Sequence, residues 1–270
     1  LPFKILDTTQ FIAINIGNNA HDTFQKQLGK YAKFKHLSIP AEVPQEISQY
    51  LLKEIGSKRA TILLGVQSIN NSATKNFGVN KNIPKLIQTL KEQGHTIVVI
   101  AFGNAYSLHH FQAAHAIICA YENVKETHYT VPQALFGAIP FKGYLPVSVQ
   151  GMQLPAGIGY ETQELKRLRY ATPEAVGVDS RSLARIDSLV ARAIRDTAMP
   201  GCQIVVAKKG VVIYQKSFGY QTYEKTQPIT DNTIYDLASI TKVAATMQAV
   251  MFLHDRGYLD VNAKASDYLP

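Results

Sequence analysis

The sequence predicts an α/β fold, with a doubly wound, mostly parallel sheet sandwich over residues 1–150 and an incomplete α+β segment over residues 177–270. In the first half, short apolar runs rich in β-branched residues alternate with stretches of helical periodicity, which is typical of parallel strands joined by covering helices. Over residues 151–176 glycine, proline and charged residues replace the apolar pattern, which indicates a linker. The length of 270 residues also favours two domains, because one core usually serves ~100–200 residues.

Four apolar runs in the first half are too short for helices and are predicted to be buried strands. They are Phe11–Ile16, Thr61–Val66, Thr96–Ala101 and Ala116–Cys119. One predicted helix spans residues 42–55, where apolar residues recur four apart, and it ends at Gly56. A second spans residues 84–93, with a proline in its first turn and Gly94 at its end. The parallel layer is expected to end near residues 145–149.

After the predicted linker, Asp179 and Ser180 can cap a helix. Its apolar face carries Leu183, Ile186, Val190 and Ile194. Residues 203–207 and 211–214 alternate around a Lys-Lys-Gly turn, which predicts a hairpin. A third apolar stretch, residues 233–238, is predicted to lead as a strand directly into a helix over residues 239–256. The apolar face of that helix carries Val243, Met247, Val250, Met251 and His254.

Composition excludes several function classes. The 28 lysines and arginines are scattered along the chain and not massed in one patch, against 20 acidic residues, so the net charge of +8 indicates a solvated basic surface and no nucleic-acid interface. No apolar run reaches the ~18 residues of a membrane span. Cys119 and Cys202 stand alone in apolar runs and are expected to be buried free thiols. His109, His110 and His115 lack an acidic or cysteine companion at ligand spacing, so no metal and no cofactor are expected.

The sharpest chemical motif is Ser239-Ile240-Thr241-Lys242. A spacing of three on a helix puts both side chains on one face, where a lysine amine can take the proton of a serine hydroxyl. A helix that begins at the serine would also direct its free N–H groups at a developing oxyanion. From spacing alone, Ser239 is either a nucleophile or an ordinary helix N-cap. Ser72 and Lys75 have the same spacing but lie in an asparagine-rich stretch with no apolar helix after it, so they are interpreted as a solvated loop.

Further short motifs surround this pair. They are Pro200-Gly201-Cys202, Lys209-Gly210, Phe218-Gly219-Tyr220, residues 228–233, residues 237–242, residues 256–260 and Tyr268-Leu269-Pro270. Together they resemble the N-terminal portion of serine β-lactamase-like hydrolases of the class C and D-Ala-D-Ala carboxypeptidase type. The resemblance implies that Ser239 is the acylated nucleophile and Lys242 its proton acceptor. In that family a Tyr-x-Asn motif and a Lys-Thr-Gly or His-x-Gly strand, both later in the chain than the serine, complete the site. Neither follows Ser239 here, since neither Tyr258 nor Tyr268 stands two before an asparagine.

The first 150 residues carry a different set of motifs. They are residues 101–106, Ala120-Tyr121-Glu122, residues 133–138 and residues 143–149, the last reading Gly-Tyr-Leu-Pro-Val-Ser-Val. These resemble the α/β-sandwich domain of glycoside hydrolase family 3, in its β-N-acetylglucosaminidase branch. In that family the catalytic groups lie on a preceding barrel domain, so no glycosidase residue is assigned here. The absence of tryptophan also disfavours a complete carbohydrate site in this chain.

These resemblances imply a fragment of a bifunctional bacterial hydrolase, a family 3 glycosidase fused to a serine acyl hydrolase, acting on a small-molecule or cell-wall substrate in cell-wall turnover. They also imply a periplasmic or cell-envelope location. The fragment itself is expected to lack complete active sites, and the remainder of the parent protein or another chain is expected to cover the truncated segment. The alternative is a non-catalytic pair of scaffold or interaction domains.

Overall fold

The computed structural model describes residues 1–6, 8–17, 22–44 and 47–269, with Ser48 described by its backbone alone. Its strands are β1 (Phe11–Ile16), β2 (Phe34–Ile39), β3 (Thr61–Val66), β4 (Thr96–Ala101), β5 (Ala116–Cys119), β6 (Arg169–Tyr170), β7 (Gly201–Lys208) and β8 (Val211–Gly219). Its α-helices are α1 (Thr23–Leu28), α2 (Ile47–Ile55), α3 (Asn82–Glu92), α4 (Lys125–Leu135), α5 (Ser180–Arg195) and α6 (Met247–Asp255). The chain divides into two compact units, residues 1–177 with 207–213 and residues 178–206 with 214–270.

The first unit contains a five-stranded sheet in the order β2-β1-β3-β4-β5. Every neighbouring pair in it is parallel, so the predicted α/β class with a parallel sheet is confirmed. The chain passes from β1 to β2 on one side and then to β3 on the other side of β1. The strand order therefore reverses between β1 and β3, and the carboxyl ends of these two strands flank the reversal.

Both faces of this sheet are buried. Side chains alternate between the faces of a strand, so Ile12, Ile14 and Ile16 join one apolar cluster, while Phe11 and Ala13 join the other. All six residues of β1 are buried, as expected for a central strand covered by helices on both sides. The buried sheet core therefore supports the described residues that follow the ends of β3, β4 and β5.

The four predicted strands of this sheet lie where the apolar runs predict them, but the edge strand β2 was not predicted. Only Leu37 and Ile39 of β2 are buried, because an edge strand exposes alternate side chains and its sequence lacks a continuous apolar run. The short α1 and the proline-containing α4 were also not predicted. The helix predicted over residues 42–55 is α2, although residues 45–46 lie outside the described residues.

Residues 151–176, predicted to be a linker by their composition, lie within the first unit. The amide of Leu165 donates to the carbonyl of Gly137 at 2.7 Å. The guanidinium of Arg167 donates to the carbonyls of Phe3 and Phe136 at 2.7 and 2.6 Å. Hydrogen bonds of this kind, to backbone carbonyls of the sandwich, hold the segment in a defined conformation.

The hairpin predicted in the second half is formed by β7 and β8, which are neighbours in a sheet of order β6-β8-β7. Its turn residues, Lys209 and Gly210, have φ values of 52° and 75°. Positive φ at both central positions is the backbone of a tight hairpin turn that follows the natural twist of the strands. The glycine of the predicted turn is thus required by the conformation.

In the second unit, α5 begins at the predicted cap, where the Asp179 side chain accepts from the amide of Arg181. The Asp187 carboxylate on α5 accepts from Lys216 Nζ at 2.9 Å and from the Tyr214 hydroxyl at 2.7 Å. Two hydrogen bonds lower the pKa of Asp187 below its usual range. The one from Lys216 has the larger effect, and the one from Tyr214 adds to it. These contacts fix the register of α5 against β8.

The prediction for residues 233–256 was wrong in two respects. Residues 233–237 form no strand; they approach the helix as irregular chain. The helix itself is not uniform, since a 3-10 turn (Ala238–Ile240) and a wider π-helical turn (Lys242–Thr246) precede α6. The predicted apolar face remains exposed, with Val243 and Met247 both at 49% and Met251 at 56% exposure. Without packing on that face, the short helix has little to stabilise regular geometry along its whole length.

Candidate active site

The structure brings Ser239 and Lys242 together. Lys242 Nζ lies 3.0 Å from Ser239 Oγ, which is hydrogen-bond distance. Ser239 is in the 3-10 turn and Lys242 begins the π-helical turn, so their spacing of three places both side chains on the same side of the backbone. This is the contact needed for proton transfer between a serine hydroxyl and a lysine amine.

The backbone before the serine is held in an uncommon conformation. Ala238 has a φ of 42°, in the left-handed region that residues with a Cβ seldom adopt. The carboxylate of Asp236 accepts from the amide of Ala238 at 2.8 Å and stabilises the bend. Strain of this kind, adjacent to a reactive side chain, is a feature found often at functional sites.

Asp236 was not assigned a role by the sequence reasoning. An aspartate three residues before a helical serine matches the general preference for carboxylates at helix starts, and that preference is the signal that could have identified it. The predicted free amide donors are only partly available, because the Ile240 N–H already donates to the carbonyl of Leu237 at 2.9 Å.

Both members of the pair are exposed, as are the side chains that surround them. Large apolar side chains are open to solvent throughout residues 234–269. The most exposed are Ile234 at 94%, Tyr258 at 72% and Leu269 at 69%. Exposed apolar surface of this extent marks a face that ordinarily contacts other protein or a ligand.

The second Ser-x-x-Lys motif has a different local structure. The Ser72 hydroxyl lies 3.2 Å from that of Thr74, and the Ser72 amide donates to Asn70. Asn76 and Phe77 then adopt positive φ values in a turn. The chain at Ser72 is therefore a loop, and its hydroxyl is engaged by a neighbouring threonine.

The histidines and cysteines singled out by composition have separate environments. His115 Nδ1 accepts from the amide of Ile97, and His109 Nδ1 contacts the carbonyl of Tyr106. In the part of the chain that the structure describes, no three His, Cys, Asp or Glu side chains converge as metal ligands would.

Cys119 and Cys202 are free but only partly buried, because each lies in an edge strand. Burial raises the pKa of both thiols.

None of the helices in the described residues combines the length and apolarity required to cross a membrane.

The solved structures that this chain resembles include two family 3 glycosidases. A fungal multi-domain family 3 β-N-acetylglucosaminidase with a glucosamine N-acetyltransferase region aligns with a TM-score of 0.42 at 20% identity, covering 60% of this chain and 18% of that one. A family 3 β-N-acetylglucosaminidase from Paenibacillus sp. str. FPU-7 aligns with a TM-score of 0.41 at 14% identity, covering 58% of this chain and 29% of that one.

Comparison with curated proteins finds putative D-alanyl-D-alanine carboxypeptidases. Those of Salmonella enteritidis PT4 and Salmonella newport are each 39% identical over an alignment of 110 residues, and the alignment covers 38% of this chain. The chain spans only 25% of the length of these relatives. The family model described as Beta-lactamase matches residues 186–270, the range that contains Ser239 and Lys242. Residues 186–270 are therefore similar to part of a beta-lactamase-family domain.

Proposed function

We propose that this chain supplies the nucleophile and the general base of a serine acyl hydrolase, with Ser239 as nucleophile and Lys242 as base. The observation that carries the proposal is the 3.0 Å contact between Lys242 Nζ and Ser239 Oγ. The beta-lactamase-family match over residues 186–270 and the similarity to putative D-alanyl-D-alanine carboxypeptidases support it.

In the proposed reaction the neutral amine of Lys242 takes the hydroxyl proton of Ser239 as Oγ attacks the carbonyl carbon of an amide, lactam or ester. Collapse of the tetrahedral intermediate breaks the bond to the leaving group, which receives the proton from Lys242. A water molecule then attacks the acyl ester of Ser239 while Lys242 takes a proton from it. Collapse of this second tetrahedral intermediate releases the acid, and Lys242 returns the proton to Ser239 Oγ. The cycle restores both side chains and requires no cofactor.

The exposure of the pair also bears on the proposal. A hydrolase of this type works in a site that excludes bulk water, whereas Ser239 and Lys242 are open to solvent. We propose that protein beyond the described residues, from the parent chain or another chain, covers the exposed apolar side chains and completes the site. The exposure of Ile234 and Tyr258 supports this part of the proposal.

For residues 1–150, which lie in the first unit, we propose the sandwich domain of a family 3 glycosidase of the β-N-acetylglucosaminidase branch. The motif at residues 143–149 and the doubly wound parallel sheet support this assignment. The parent protein would then combine glycoside and acyl hydrolysis, and both activities would suit the turnover of bacterial cell wall. Hydrolysis of an N-acetylglucosaminide by a longer protein that carries this chain is the test of the glycosidase half.

The test of the acyl-hydrolase half is covalent labelling followed by intact-mass spectrometry. A small fluorophosphonate needs only a nucleophile and its base, so we expect one adduct on Ser239 even where substrate-binding parts are not supplied. The adduct should disappear in Ser239→Ala and persist in Ser72→Ala, which alters the serine of the other Ser-x-x-Lys motif. Parallel incubation with a penicillin reports whether a β-lactam carbonyl is accepted.

A second candidate function is a non-catalytic scaffold, which the exposed apolar side chains of the second unit favour. It predicts no adduct on Ser239 with either reagent. Labelling that is absent, or that is equal in wild type and Ser239→Ala, would therefore reject the acyl-hydrolase proposal and leave the scaffold function.

A further inference from the structure

A cluster of four polar side chains lies where the strand order of the parallel sheet reverses. Asp22 follows β1 and caps α1, Gln67 follows β3 directly, Asn123 follows β5, and His128 lies on α4. In doubly wound sheets, ligands bind in the crevice outside the carboxyl ends of the strands at the point of reversal. Neither proposed activity uses these residues.

The hydrogen bonds of the cluster fix the orientation of the His128 imidazole. Asn123 Nδ2 donates to the carbonyl of Gln67 at 2.8 Å, so Asn123 Oδ1 faces His128 Nε2, 2.7 Å away. An amide oxygen only accepts, which means that Nε2 carries a proton. In a neutral imidazole the other nitrogen, Nδ1, is then a bare acceptor.

The acceptor nitrogen of His128 faces a second acceptor, the carboxylate of Asp22. His128 Nδ1 lies 3.9 Å from Asp22 Oδ2, too far for a direct hydrogen bond. Burial lowers the pKa of His128, and the Asp22 carboxylate opposes this effect more weakly. The ring of Phe102, with its centroid 4.6 Å from that of His128, contributes to the apolar surroundings. A neutral imidazole therefore directs its lone pair at a carboxylate.

The Asp22 carboxylate is itself a buried charge, with its side chain 9% exposed. It accepts from the Gln25 amide at 2.8 Å and from Gln67 Nε2 at 2.7 Å, both neutral donors. Among the ion pairs of the described residues, none joins Asp22 to a lysine or arginine. Buried carboxylates ordinarily have a cationic partner, so a positive charge at this position would be strongly stabilising.

We propose that the crevice at the carboxyl ends of β1 and β3 binds the ammonium group of a small primary amine between Asp22 Oδ2 and His128 Nδ1. An ammonium group donates to both acceptors at once and supplies the positive charge. A hydroxyl group has a single proton and satisfies only one of the two. Asn123 is exposed, whereas the side chains of His128 and Asp22 are only 8% and 9% exposed, so a group that binds both of them must be small.

The test uses methylammonium as the probe and the imidazole ¹⁵N signals of the whole chain as the readout. At neutral pH we expect His128 Nδ1 to show an unprotonated nitrogen whose signal shifts saturably with methylammonium, at concentrations up to ~100 mM. Tetramethylammonium has the same charge but no N–H donor, so it should leave the signal unchanged. His95 is the internal control, because its Nδ1 is also buried but already accepts from the Ala60 amide.

Asp22→Asn keeps the capping function of α1 and removes the charge, and should weaken methylammonium binding by at least about tenfold. Asp179→Asn is the matched control, since Asp179 also caps a helix but is paired with Arg181. Equal binding in the two variants would overturn the proposal. So would a His128 Nδ1 that is protonated without amine, no saturable shift, or equal shifts with both cations. The comparison of cations needs no variant, so it stands even where Asp22→Asn does not fold.

A lysine side chain of a protein could supply the same ammonium. Nα-acetyl-lysine amide tests that source, because it carries the group at the end of a long stem. Because the side chains of Asp22 and His128 are almost fully buried, we expect a smaller shift with it than with methylammonium. A larger shift would assign the crevice to a lysine of a protein partner and overturn the small-amine assignment.

Discussion

Lys242 contacts Ser239 at a distance that suits two different roles, and substitution separates them. As a general base it must accept a proton, whereas as a simple donor it need only hold the hydroxyl. Arginine can donate but cannot accept, because it stays protonated. We therefore expect Lys242→Arg to slow fluorophosphonate labelling of Ser239 by about 10²- to 10⁴-fold, as Lys242→Ala should. A labelling rate for Lys242→Arg that stays near wild type would show that the lysine only positions the serine.

Arg167 is a second case in which a single side chain matters, here for the stability of the fold. Its guanidinium donates to three backbone carbonyls, those of Phe3, Lys4 and Phe136. A lysine in this position could not reach all three, since its donors come from one point. We expect Arg167→Lys to lower the free energy of unfolding by about 1–3 kcal/mol in urea denaturation.

Arg181→Lys is the control for that measurement, because Arg181 is exposed and pairs only with its neighbour Asp179. A change within about 0.5 kcal/mol is expected there. Equal losses in the two variants would mean that the carbonyl contacts of Arg167 do not matter for stability.

At the scale of the element, the β7–β8 turn offers a test of backbone conformation. Gly210 has a φ of 75° and open space where a Cβ would lie, so the cost of a side chain there is conformational. Gly210→Ala should destabilise the protein by about 1 kcal/mol. Lys209→Asn should stabilise it by a few tenths of a kcal/mol, because asparagine tolerates positive φ and forms the favoured Asn-Gly turn.

Gly143→Ala is the matched variant for this turn, since Gly143 also has open space around it but no positive φ. Thermal unfolding of the variants measures the difference. A loss at Gly143 as large as that at Gly210 would contradict the conformational explanation.

Elements with a single strong signal could be predicted from the sequence, and elements with mixed signals could not. The central strands are buried on both faces, so their apolar runs are continuous. The edge strand β2 mixes polar and apolar residues, so it has no continuous apolar run. The described apolar side chains of the helix after Ser239 are exposed, so packing does not stabilise a regular helical geometry along its length. Local pattern therefore identifies the core of the sheet better than its edges.

The two candidate sites differ in the same way in how far the sequence predicts them. The contact between Ser239 and Lys242 could be predicted, because it depends only on a spacing of three along one segment. The cluster of Asp22 and His128 could not, since the two residues are far apart in the sequence and meet only through the strand order. Asp22 and His128 carry no motif of their own.

At the scale of the whole molecule, buried histidines couple stability to pH. Burial lowers the pKa of His95, of His110 and of His128 below the value of ~6.5 that an unfolded chain shows. Below about pH 6.5 the unfolded chain therefore binds more protons than the folded one, and stability falls as the pH drops. Urea unfolding at about pH 7 and about pH 5 should show a lower midpoint at the acidic pH.

His95→Gln removes one of these titrating groups and should reduce the difference between the two pH values. His254→Gln is the control, because His254 is exposed. An identical pH dependence in wild type and His95→Gln would rule out a contribution from His95.

The strand order has a further consequence, for the time course of folding. β1 pairs first with β2, and each later strand is added beside one already in place: β3 beside β1, β4 beside β3 and β5 beside β4. The sheet can therefore grow outward in the direction of synthesis. All five strands of this sheet precede Ser239 in the chain, so we expect the sheet to be able to form before the segment that carries Ser239 and Lys242 is synthesised.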